Sequence, residues 1–378
     1  MELDADGFSR PVLRDVLAKD DRRGLDVKLF DQVCPGRHVS AKSPEGSRRD
    51  PVFGSAVSVW SASAVDPEMR FRGSSGGTLT ALASWLLATG RATQVVGAAM
   101  DRTTPTLTES VTLGVDDDVL RTSGSRYAPV SVAGNPDALR GDSAVIAKPC
   151  EASALAALVE RRGLERPIIL SFFCAGTPSQ HATDQLVREL GLDPSKLSLL
   201  RYRGHGWPGR FTAEDQEGRA GSVDYDESWG RALGPTMQWR CKVCPDGVGE
   251  SADVAAGDFW QSDERGYPIF DEGDGTSVLI ARTVRGHQLL CEAIDQGILQ
   301  AEPLDIRRLY PVQPLQVERR TTLIGRLIGA RLAGRPVPRY DGFGLSRLGA
   351  RIPRATARAA VGTWWRTMRK RTRGNVGP

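Results

Sequence analysis

Cys241 and Cys244, in Trp239-Arg-Cys-Lys-Val-Cys-Pro-Asp246, are the closely spaced pair in a chain of 378 residues with 6 cysteines. Two thiolates at this spacing can bind one metal centre from a single tight turn. One pair does not complete a site. Cys150 follows the apolar run Ser143–Ala147 and stands at the mouth of a helix expected from Glu151, where free backbone N–H groups favour a thiolate. Cys174 repeats the arrangement, ending the apolar run Ile168–Phe173 ahead of a helix expected from Ser179. Two cysteines at matching strand ends can face one spot at a sheet edge. With the Cys241–Cys244 turn folded over that edge, four thiolates converge, the number that a [4Fe–4S] cluster and a structural zinc both require. The competing readings are small buried residues at the strand ends and a redox dithiol for the close pair, although no thioredoxin-like sequence surrounds it. Cys291 falls on an apolar helix face and reads as core, whereas Cys34, in Val33-Cys-Pro-Gly36, stands between orphan and ligand.

Three polar loops accompany the cysteines. Arg72-Gly-Ser-Ser-Gly-Gly-Thr78 precedes a helix expected over Leu79–Leu87, and its small residues let backbone N–H groups approach an anion such as a phosphate at the positive end of the helix dipole. It is neither a Walker A nor a Rossmann fingerprint, and a flexible turn capped by Ser75 would look the same. Ser123-Gly-Ser-Arg-Tyr127 offers one guanidinium and one ring. Tyr202-Arg-Gly-His-Gly-Trp-Pro-Gly209 reads either as a turn around a packed Trp or as a flat-ring site. In the second reading Trp207 or Tyr202 contacts an isoalloxazine-type ring, and Arg203 or His205 meets its polar edge. No Ser-His-Asp order and no His-Glu-x-x-His occurs, which argues against those hydrolases.

The elements that must position these residues follow from periodicity. Strands are expected at Gln94–Met100, Leu107–Leu113, Ser143–Ala147, Pro167–Phe173 and Ser277–Ala281, with helices at Glu151–Arg161, Ser179–Leu190 and His287–Gln296. Leu197–Tyr202 is extended, and Arg210–Tyr225 is polar and hairpin-like. The alternation predicts a mixed α/β fold, sheet layers flanked by helices with some parallel pairing, interrupted by the cysteine-bearing segment. Three regions are expected: residues 1–50 with few periodic signals, a compact body over 51–314 that holds the candidate site residues, and a basic helical tail over 315–378.

Hydrophobic residues make up 40% and charged residues 25% of the chain, which excludes general disorder, and no apolar run approaches the length of a membrane span. The acidic opening with Glu2, Asp4 and Asp6 differs from a secretory leader and, with so few cysteines, predicts a reducing cytoplasm. From Gln316 onward 15 Lys and Arg face only Glu318 and Asp341, while residues 1–315 carry a net charge of −9. Two amphipathic helices are expected in that tail. Leu323, Ile324, Leu327 and Ile328 share one face, and Val361, Trp364, Trp365 and Met368 another, with Arg326, Arg331, Arg366, Arg369, Lys370 and Arg371 on the polar sides. Such helices dock on the body or lie on an anionic membrane surface. No recognised nucleic-acid module accompanies the charge, so nucleic acid is not an expected partner.

The combination of motifs resembles the beta subunit family of coenzyme F420 hydrogenase and dehydrogenase, the deazaflavin-using iron–sulfur flavoproteins. The likeness rests on Arg72–Thr78, Ser125–Tyr127, Lys148-Pro-Cys-Glu151, Phe172–Ser179, Tyr202–Gly209, Trp239–Asp246 and Ala252-Asp-Val-Ala-Ala-Gly-Asp-Phe-Trp260, in the family's order over about Asp31 to Tyr310. The resemblance implies FAD beside a [4Fe–4S] cluster, coenzyme F420 as the deazaflavin, and a redox partner protein. It makes Cys150, Cys174, Cys241 and Cys244 the cluster ligands. It makes Arg72, Ser74, Ser75, Gly76, Gly77, Thr78, Ser125, Arg126, Tyr127 and Lys148, with Arg203, His205 and Trp207, the cofactor contacts. The ferredoxin-like cysteine stretch with which many members begin is reduced here to Cys34-Pro-Gly36.

Overall fold

A computed structural model describes residues 1–12, 26–259 and 273–372, without the side chains of 370–372. Trp260, which closes one motif, and the Lys370 and Arg371 side chains, placed on a polar helix face above, lie outside the described residues.

Eight strands form the main sheet: β1 (Ser58–Ala64), β2 (Gln94–Met100), β3 (Thr108–Leu113), β4 (Ser143–Ala147), β5 (Ile168–Phe172), β6 (Val254–Asp258), β7 (Ser277–Ala281) and β8 (Leu299–Pro303). Their order is β8-β1-β7-β6-β5-β4-β2-β3. The middle four, β2, β4, β5 and β6, are mutually parallel, with Leu170 opposite Ile146 on one side and Val254 on the other. Antiparallel strands finish both edges. Continuous apolar runs such as Ala-Val-Ile-Ala in β4 suit burial on both faces, which a parallel sheet requires. Helices α1 (Thr78–Ala88) and α4 (Val284–Asp295) supply Leu82, Leu86 and Leu290 to one face, and α2 (Pro149–Arg162) supplies Leu155 and Ala156 to the other. The mixed α/β reading therefore describes the architecture.

A smaller three-stranded antiparallel sheet, Leu197–Arg201, Phe211–Asp215 and Ala220–Val223, packs with α3 (Gln180–Glu189) around Leu186, Val187, Leu200 and Phe211. The expected hairpin over 210–225 is its second and third strands.

The first and last parts of the chain meet. His38–Ser40 pairs in parallel with Arg339–Asp341, and His38 Nε2 lies 2.7 Å from Asp341 Oδ2. The helix α5 (Pro314–Leu332) is seated on the body, with Arg319, Arg320, Leu323 and Leu327 all buried. Arg320 forms an interior ion pair with Glu250, which Arg49 also reaches at 2.8 Å. The last described helix, α6 (Pro353–Thr372), lies along α5. Added Cβ atoms at Gly325 and Gly329 would sit 2.2 Å from the Thr356 carbonyl and 2.1 Å from the Ala360 carbonyl, so the two helices touch backbone to backbone. Among the described residues no helix is long and apolar enough to cross a membrane.

Candidate functional site

The carboxyl ends of parallel strands are where an α/β sheet leaves a crevice. Strand β4 ends at Ala147, and the chain turns through Lys148 into α2, with Pro149 at the first helical position, where its missing N–H costs nothing, and Cys150 next. Strand β5 ends at Phe172. Beyond it, the Cys174 N–H donates to the Gly247 carbonyl (2.8 Å), while the Cys174 carbonyl accepts from Arg319 Nη1 (2.8 Å) and Gln316 Nε2 (3.3 Å). Gly176, at φ 148°, lets the loop close on the one-turn helix Trp239–Lys242: a Cβ there would lie 2.3 Å from Met237 Sδ and 3.1 Å from Cys241 Cβ. The Thr177 N–H then points at Cys241 Sγ, 3.3 Å away.

These turns bring Cys150, Cys174, Cys241 and Cys244 around one cavity of about 30 Å³. Lys148, Arg240, Arg319, Asp246 and Tyr340 share its wall. Asp246 serves the following turn, its carboxylate accepting the N–H groups of Val248, Gly249 and Glu250. The facing donor set is therefore all sulfur. Burial pushes the Cys150 and Cys174 thiols up and the Cys244 thiol to about 12. Arg240, whose Nη2 is 3.6 Å from Cys150 Sγ, acts against this at Cys150, as Arg319 does at the other two. Three cations around four thiols offset the charge that thiolates would bring. Among the described residues no three Cys, His, Asp or Glu side chains are grouped to hold a single ion. Neither Cys34 nor Cys291 lines this cavity; Cys291 sits on α4 beside His287.

A second, larger cavity of about 500 Å³ opens along the same strand ends. Ser74, Ser75, Gly77 and Thr78 line it from the start of α1. Gly77 holds φ 69° as the N-cap, and a Cβ there would fall 2.4 Å from the Met69 carbonyl, so only glycine fits. No side chain caps α1, which leaves its first N–H groups facing the cavity. Ser125 donates to Ser74 Oγ (2.9 Å), joining the two loops. Arg126 lines the cavity, but its guanidinium is held by Thr108 Oγ1 and the carbonyls of Leu107 and Leu200, so it fixes the loop. Tyr127 lines it too, tilted against Trp229 with ring centroids 4.8 Å apart.

The Tyr202–Gly209 turn departs from the expected ring site. Arg203 points into the cavity wall, pairs with Asp258 at 2.8 Å, donates to the Pro208 carbonyl and lies under the Tyr225 ring. Tyr202 is buried in the small-sheet core, its hydroxyl 2.8 Å from Thr183 Oγ1. Neither His205 nor Trp207 lines this cavity: His205 packs against Phe71, and the Trp207 ring, its centroid 5.2 Å from the Arg203 guanidinium, faces a separate pocket of about 270 Å³. Arg72 also lies outside the cavity, paired with Glu68 at 2.6 Å, and Gly76 is packed under Ser277 and the Ala62 carbonyl. The aromatic wall is instead supplied by Tyr225 and Trp229, one just before and one within a short π-helical segment that the sequence reading did not single out. Their i, i+4 spacing was the available signal.

Lys148, Cys174, Gly176 and Thr177 line both cavities. The partition between the ring-lined space and the thiol-lined space is thus one loop and one lysine. Lys148 donates to the Val130 carbonyl (2.6 Å) and approaches Glu151 Oε2 (3.4 Å).

The structure thus sets an anion-ready, ring-lined cavity against an all-thiol pocket at the strand ends of a mixed α/β sheet. Residues 142–307 match the C-terminal part of the coenzyme F420 hydrogenase/dehydrogenase beta subunit, and residues 59–134 match the N-terminal part of the same family. The chain belongs to that family. It is 26% identical over 253 residues to the F420-dependent formate dehydrogenase 1 subunit beta of Methanococcus maripaludis, a match covering 63% of this chain and 60% of that relative. The match thus spans under two thirds of the relative's length. A solved structure of the F420-reducing [NiFe] hydrogenase complex from Methanosarcina barkeri contains a chain of similar fold, with TM-score 0.58 and 20% identity, covering 77% of this chain and 98% of that one.

Proposed function

We propose that this chain is an oxidoreductase that exchanges electrons between coenzyme F420, a flavin held in the larger cavity, and a [4Fe–4S] cluster held by Cys150, Cys174, Cys241 and Cys244. The observation that carries the reading is the shared partition: Cys174 lines both cavities. The all-sulfur donor set of four cysteines around one cavity fits a cluster. Serine, glycine and helix N-terminus at Ser74–Thr78 fit a cofactor phosphate, and Tyr127, Tyr225 and Trp229 fit a flat ring. A bound flavin supplies the exchange between a hydride and single electrons that a cluster then carries. The chain's part is to hold rings and sulfurs on either side of one loop, with Lys148 between them. The relatives named above point to a partner protein that takes or gives the electrons, and the acceptor beyond it is set by that partner.

Anaerobic purification tests this directly. The expected result is brown protein with about four irons and one flavin per chain, and oxidation of reduced F420 by an artificial acceptor. Cys241→Ala should remove the iron while the α/β fold remains. One zinc per chain and no iron would sink the cluster; iron without flavin would sink the assignment of the larger cavity.

A further inference from the structure

The helix α6 is docked by its smaller side chains. Thr363 and Thr367 are 3% and 6% exposed, and Thr356 and Ala360 meet Gly325 and Gly329 of α5. The large apolar residues point the other way: Val361, Trp364, Trp365 and Met368 are 66%, 41%, 50% and 36% exposed. Docking and burial of that stripe are thus separate matters in this fold. On α5, Ile328 and Leu332 are also left in water. The two helices run in the same direction, since Gly325 is level with Thr356 and Gly329 with Ala360, which places Leu332 level with the Trp pair.

We propose that this face is a docking surface for an anionic lipid membrane. No acidic residue follows Asp341, while Arg354, Arg358, Arg366 and Arg369 are all exposed on α6. Arg369 lies over the Trp365 ring at 4.3 Å, a guanidinium held at the border of an apolar patch. Indoles with their stems in an apolar phase and arginines reaching outward to phosphate are the side-chain arrangement of an interfacial helix. A second copy docking face to face would set arginine against arginine with no carboxylate on α6 to answer it. A helix side is convex and offers no shaped pocket, which suits a fluid surface better than a folded partner. Because α6 is already seated on α5, lipid contact requires no folding step. The inference is independent of the redox reading.

The test is co-sedimentation of the full chain with vesicles of phosphatidylglycerol and phosphatidylcholine, and with phosphatidylcholine alone, at low and high salt. The expected result is binding to the anionic vesicles only, weakened about ten-fold by high salt. Trp364→Ser with Trp365→Ser should abolish binding at an unchanged melting temperature, and Arg354→Glu with Arg358→Glu should weaken it about ten-fold or more. No binding by the unaltered chain at low salt overturns the proposal, as does undiminished binding by the Trp variant. Self-association without lipid that the Trp variant loses would assign the face to a second copy.

Discussion

Helices α5 and α6 carry the same sequence signature, an apolar stripe among arginines, and the fold uses them in opposite senses. On α5 Leu323 and Leu327 go inward, leaving Ile328 at the surface, and two arginines go in with them: Arg320 to Glu250, and Arg319 to the carbonyls of Cys174 and Ala175. On α6 the threonine and alanine side goes inward and the stripe stays out. Periodicity establishes that a helix has two sides. What selects the covered side is the neighbour, here a buried carboxylate for α5 and a pair of glycines for α6.

The strongest way to break this contrast is Glu250→Ala. It strands the Arg320 guanidinium in the interior and should cost about 3–5 kcal/mol in urea unfolding. Burial alone would raise the Glu250 carboxyl, yet Arg320 and Arg49 hold it below its ordinary value. The pair's contribution is therefore full above about pH 4.5 and lost as pH falls toward the depressed value, so the unaltered chain should lose stability on acidification more steeply than Glu250→Gln. Gly329→Val is the intermediate case. Its Cβ would meet the Ala360 carbonyl at 2.1 Å, which should cost about 1–3 kcal/mol and expose the chain near Pro353 to protease. Trp365→Ala should change stability by less than about 0.5 kcal/mol. A larger loss would mean that the outward stripe is packed after all, and the contrast would fail.

Three of the four parallel strands were legible because Gln94–Met100, Ser143–Ala147 and Ile168–Phe172 are apolar runs bounded by turn residues, and the two cysteines at the ends of the last two followed from strand-to-helix order; β6, Val-Ala-Ala-Gly-Asp, was hidden by its small residues. Strand β1, Ser-Val-Trp-Ser-Ala-Ser-Ala, carried too little bulk to stand out, and β8 is an edge strand with a mostly exposed side. Arg319 was not singled out, because nothing local marks a guanidinium that folds over a distant cysteine. The Tyr202–Gly209 turn misled for a related reason. Its aromatic and basic residues cluster in sequence, but in the glycine-rich turn Arg203 alone reaches the cavity, with Trp207 stacked behind its guanidinium and His205 turned against Phe71.

The wall of the thiol pocket also has an order in time. All four cysteines precede residue 245, whereas two residues that close the pocket, Arg319 and Tyr340, come from the last part of the chain, Tyr340 donating to the Val243 carbonyl at 2.7 Å. Translation at about 5–20 residues per second separates Cys244 from Tyr340 by roughly 5–20 s. During that interval the sulfurs have been made but lack their cover, which defines a window in which an assembly factor can reach them on the nascent chain. Once the strand Arg339–Asp341 zips onto His38–Ser40, Val39 and Tyr340 wall the pocket on that side, so that loading of the proposed cluster after this point would go through the larger cavity or require that pairing to reopen.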